Sequence, residues 1–130
     1  MIAIDTNVLV RLLVRDDPAQ GRRARRLVES ADVLACTSVL LEAEWVLRSA
    51  YGFEAAAISL AFRRFLGLPN ITPDSPANLA QALDLYDAGL DFADALHLAS
   101  AQKAAPFYTF DRRLAKAAKR RKLPVEMVPE

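Results

Sequence analysis

Met1-Ile2-Ala3-Ile4-Asp5-Thr6-Asn7-Val8-Leu9-Val10 begins with a short apolar run and ends it on a carboxylate, a hydroxyl and an amide in succession. An apolar run closed by polar residues reads as a buried strand of a parallel sheet. Val8, Leu9, Leu12 and Leu13 then fall at helical spacing, which puts Asp5 where a strand gives way to a helix. In open α/β sheets, ligands bind outside the carboxyl ends of the strands. Asp5 is therefore a candidate for chemistry, and the rest of the chain decides what joins it.

The same alternation continues outward. The first helix ends near Arg15-Asp16-Asp17-Pro18, and Pro18 suits the first turn of a second helix reaching about Ser30. Val33 to Cys36 is a second strand, and Thr37 or Ser38 is expected to cap a third helix with Val39, Leu40, Ala43, Val46 and Leu47 on its apolar stripe. Gly52 stops it. A fourth helix spans about Glu54 to Leu66, a short edge strand follows near Ile71, and Ser75-Pro76 starts a helix through Tyr86. After Gly89, Asp91 opens a helix to about Lys103. Pro106 to Thr109 is a strand, Asp111 to Lys122 a basic helix, and Val125 to Val128 a last strand. Strands alternating with helices predict an α/β fold whose parallel sheet is covered on both faces.

Composition narrows the class. At 130 residues the chain is expected to be a single domain, residues 1–130. The net charge of +1 gives no global attraction to a polyanion, so any such signal must be local. The single cysteine, Cys36, cannot form an internal disulfide and reads as a buried, inert thiol. Met1 opens directly into a strand, charges follow by Arg11, and no apolar run approaches the ~20 residues of a membrane span. A cytoplasmic location is expected.

The carboxylates are the chemical signal. Asp5 and Asp111 follow strands, Glu42 lies one turn into the third helix, and Asp94 lies in the first turn of the helix that Asp91 opens. Asp5, Asp91 and Asp111 could each be a helix N-cap, and Asp94 a dipole-compensating acid. Glu42 forms no capping box with Thr37 or Ser38, and its position among Val39, Ala43 and Val46 suggests a costly burial. Acids gathered at one sheet edge would repel one another without a cation. Oxygen-only donors suit Mg²⁺ or Mn²⁺ rather than zinc. Such an ion can orient an attacking water and offset charge growing on a phosphodiester.

Four segments in order carry a resemblance: Asp5-Thr6-Asn7-Val8-Leu9, Ser38 to Glu42 with Glu44 to Leu47, Asp91 to Leu96, and Thr109-Phe110-Asp111. Together they resemble the ordered motifs of the PIN-domain nucleases, most closely the VapC-type toxins of prokaryotic toxin–antitoxin pairs. The resemblance implies a three-layer α/β/α fold, Mg²⁺- or Mn²⁺-dependent endoribonuclease activity, a homodimer, and neutralisation by a VapB-like antitoxin. It implies that Asp5, Glu42, Asp94 and Asp111 are the acidic catalytic and metal-holding residues. Thr6, Asn7 and Thr109 would support them, with Asp91 a further acid whose capping role alone explains it.

The remaining signals have plainer rivals. His97, three residues after Asp94, reads as a packed helix histidine or a substrate contact. In the basic helix, Arg112, Arg113 and Lys116 are candidates to track an RNA backbone, although charge at a chain end is also ordinary solvated surface. Arg22, Arg23, Arg25 and Arg26 carry the same choice, or would dock an acidic antitoxin segment. Trp45, Phe62, Phe65 and Tyr86 read as core or interface. A receiver domain would need paired acids after the first strand, and a haloacid-dehalogenase-type phosphatase an Asp where Asn7 stands. The alternative that keeps the fold is a non-catalytic RNA- or protein-binding module.

Overall fold

Ile2 and Ala3 form β1, which Val14 and the buried Ile4, Leu9 and Val10 follow into the core. The computed structural model describes all residues, 1–130, in two units, residues 1–77 and 78–130. In the first unit, β1 (Ile2–Ala3) leads to α1 (Thr6–Leu13), α2 (Pro18–Glu29), β2 (Val33–Ala35), α3 (Thr37–Ser49), α4 (Ala55–Leu66) and β3 (Ile71–Pro73). The strands pair in parallel in the order β1-β2-β3, with Ile2 opposite Val33 and Val33 opposite Ile71. Central β2 buries Val33 and Ala35. Edge β3 tolerates Pro73, whose missing N–H would interrupt an inner strand. Helix α1 packs on both α2 and α3, and α3 on α4.

The buried stripe of α3 is Leu40, Ala43, Glu44 and Leu47, one i, i+3, i+4, i+7 face. The start of this helix departs from expectation. Cys36 is the N-cap and its side chain accepts no capping hydrogen bond, while Thr37 is already helical. Asp74, beyond β3, replaces the missing local cap: it accepts from the Thr37 N–H at 3.1 Å and from the Thr37 hydroxyl. Cys36 is half-buried rather than buried.

In the second unit, α5 (Pro76–Asp87, starting at the boundary) precedes α6 (Phe92–Ser100), β4 (Phe107–Thr109), α7 (Arg112–Arg120) and β5 (Val125–Met127). Strands β4 and β5 pair in parallel, Phe107 opposite Val125. Every strand pairing in the protein is thus parallel, in two separate ladders, and the class is α/β. At the end of α5, Gly89 has φ +104°, and the N–H groups of Gly89 and Leu90 return to the carbonyls of Tyr86 and Leu85 at 3.0 and 3.1 Å. A left-handed residue is needed there, and glycine adopts it without a Cβ clash. The reversal delivers the chain to Asp91 within two residues. Tyr86 and Phe92 pack edge to face across it, ring centres 5.1 Å apart. No helix is long and apolar enough to cross a membrane.

Candidate functional site

Asp5 follows β1 with extended backbone and caps α1, its Oδ1 accepting from the Val8 N–H at 3.0 Å. The other carboxylate oxygen stays free on an exposed side chain, so capping leaves the acid able to bind something else. Asp5 and the exposed Asn7 line a cleft of about 440 Å³ with Val8, Arg11, Arg23 and Leu27; Thr6, half-buried, stands between them in sequence. Arg11 is already engaged. It donates to Asp16 at 3.0 Å, to the Tyr51 hydroxyl at 3.1 Å and to Gln20 at 2.8 Å, and Tyr51 donates to Asp16 at 2.9 Å. The hydrogen bond with Tyr51 raises the Arg11 pKa, with help from Asp16. The same hydroxyl, and then the Arg11 charge, lowers that of Asp16. Arg23 makes no such bonds and is the available cation of the cleft.

Glu42 is not buried, contrary to the expectation from its neighbours. At about 100° per residue it lies about 200° from Leu40, outside the buried face. The buried glutamate is Glu44, 2% exposed, which accepts from Arg48 one turn on at 2.9 Å. Glu42 therefore projects to solvent without a desolvation cost, and Glu44 carries the structural charge of α3.

In the second unit, Asp91 caps α6 by accepting from the Asp94 N–H at 3.1 Å. Asp111 caps α7 through one oxygen that accepts from Arg113 and Leu114 N–H groups at 2.9 and 3.2 Å. Thr109 Oγ1 accepts from the Asp111 N–H at 2.9 Å and so fixes the turn that presents this acid. Asp91, Asp94 and Asp111 line one pocket of about 280 Å³, with Gly89 and Arg113 beside them. Burial raises the Asp94 pKa, the charges of Asp91 and Asp111 raise it further, and His97 opposes the shift. His97 is exposed rather than packed. Its charge acts on Asp94 from one turn along the same helix.

The donors are all carboxylate oxygens, the set a hard divalent cation takes, and a cation would relieve the repulsion on Asp94. Within each unit, however, no three acidic, histidine or cysteine side chains stand close enough to hold a metal ion. The capping bonds of Asp91 and Asp111 draw one oxygen of each towards its own helix backbone. The three basic candidates are divided: Arg113 lines the acidic pocket, whereas Arg112 and Lys116 line a separate groove. Trp45, at 59% exposed, is not core, while Phe62, Phe65 and Tyr86 are.

A model of the PIN domain family matches residues 2–120, from β1 to the end of α7. The chain belongs to the PIN domain family. No curated protein matches it. All of the acidic positions above fall inside the match, whereas β5 and the tail lie beyond it. PIN domains are generally nucleases and typically use divalent metal ions, and membership points to a nucleic acid substrate.

Proposed function

We propose that this PIN domain is an Mg²⁺- or Mn²⁺-dependent endoribonuclease, the toxin of a VapBC-type pair, acting as a homodimer that a VapB-like antitoxin neutralises. The observation that carries the nuclease reading is the acidic pocket of Asp91, Asp94 and Asp111, in which the first and last press on the ionisation of the middle one. Asp94 and Asp111 are the proposed ligands there; Asp5 and Glu42 are assigned the same role from their positions in the family's pattern. A divalent ion supplies charge neutralisation at the scissile phosphate and acidifies water. Thr109 holds the Asp111 turn, and Thr6, Asn7 and Asp91 orient their acidic neighbours. Arg113, at the pocket wall, is placed to meet a phosphate. Hydrolysis leaves a 5′-phosphate and a 3′-hydroxyl.

One rival keeps the fold, a PIN-like module that binds RNA or protein without cutting; the lack, within either unit, of a three-acid group able to hold a metal ion favours it. Cleavage of tRNA and ribosomal RNA by purified protein, with Mg²⁺, Mn²⁺ or EDTA, separates the two. Asn is as good an N-cap as Asp, so Asp5→Asn keeps the α1 cap while removing a charge. Cleavage should need the metal and fall by about 100-fold or more in Asp5→Asn, beyond the loss typical of outer-shell groups. EDTA-resistant cleavage, or full activity in Asp5→Asn, would sink the assignment. RNA binding without cleavage would put the binding module ahead.

A further inference from the structure

Phe110 is 81% exposed, more than any other large apolar side chain. It stands between Thr109 and Asp111, in the turn that the Thr109 Oγ1 bond and the Asp111 cap hold rigid. No packing explains this ring. Beside it runs a groove of about 900 Å³, lined by Arg112, Lys116 and Lys119 of α7 and by Met127 and Val128. The three cations lie at i, i+4 and i+7, one face of the helix, and none is held in an ion pair. The stripe is about 10 Å long, the axial length of about three nucleotides at 3.4 Å each. Glu126 and Glu130 also line the groove, so its positive charge is a line along α7 rather than a general lining. An exposed aromatic at the head of a line of free cations is the arrangement that binds single strands, where a base stacks and phosphates follow the charges.

We infer that this groove is an RNA-strand track: a base stacks on Phe110, the adjoining phosphates lie along Arg112, Lys116 and Lys119, and the strand is thereby registered against Asp111. The track rests on the ribonuclease reading above and adds a positioning residue to it. Phe110 and the three cations lie within the family match, and the rest of the wall, β5 and the tail, lies beyond it.

The test is fluorescence anisotropy in EDTA with a fluorescein-labelled, unstructured 12-nucleotide RNA and its duplex, run beside the cleavage assay in Mg²⁺. Phe110→Ala should weaken single-strand binding about fivefold or more, Phe110→Tyr should restore it, and Lys116→Ala with Lys119→Ala should weaken it as well. Duplex binding should be weaker and indifferent to Phe110. All variants are at surface positions, and unchanged melting curves exclude misfolding. Wild-type affinity in Phe110→Ala overturns the track, as does wild-type affinity in the double lysine variant or absence of single-strand binding by the wild type. A Phe110→Ala change in sedimentation with unchanged RNA affinity also overturns it, assigning the ring to a second copy of the chain. Metal-dependent cleavage with Phe110-indifferent binding removes the track and leaves the nuclease. Phe110-dependent binding without cleavage does the reverse.

Discussion

Asp94 is the residue whose environment says most about chemistry. Its carboxyl is held above the ordinary carboxylate range by burial first and by Asp91 and Asp111 second. An acid raised in the folded state costs stability where it is ionised in both states. That cost is absent below the unfolded value and complete above the folded one. Asp94→Asn should therefore raise the melting temperature at pH 7 in EDTA, and the gain should vanish as the pH falls below about 3.8, the ordinary value. Mg²⁺ should stabilise the wild type and not the variant. A pH-independent gain would assign the effect to packing. Asp5 and Asp111 make a related point. Each caps a helix with one oxygen and keeps the other free, so the structural explanation of these acids does not compete with the chemical one.

At the scale of elements, helix starts place the acids and distant chain secures the starts. Helix α3, which carries Glu42, has no local cap; Asp74 supplies it from 37 residues away. Asp74→Ala should lower stability to urea by about 1 kcal/mol, the usual worth of an N-cap, with the slope of the transition unchanged. A neutral result would mean that water serves the Thr37 N–H equally well. The end of α7 shows the opposite economy. Lys122 takes the left-handed position, φ +57°, that Gly89 fills after α5, and its N–H still returns to Lys119 at 3.0 Å. The chain keeps a lysine there against the steric preference for glycine.

Taken as a whole, the molecule has little net field: its charge is +1, so attraction to RNA must come from local lines of charge such as that along α7. Three phosphate contacts to a single strand predict a slope of log affinity against log salt of about −2, and removal of Lys116 and Lys119 should reduce it to about −0.7. Titrations between low and moderate KCl measure this directly. A steep slope surviving in the double variant would point to other cations, Arg23 of the first unit among them. The alternation of strands and helices, the parallel pairing, the helix-starting positions of Asp5, Asp91 and Asp111 and the family itself were all legible in the amino-acid order, because each rests on hydrophobic period and residues near in sequence. The exposure of Glu42 against the burial of Glu44, the Asp74 cap, the closing of Arg11 by Asp16 and Tyr51, and the bare ring of Phe110 were not. Those were decided by tertiary structure, since which face of a helix is buried, and which distant side chain reaches it, depends on what packs there.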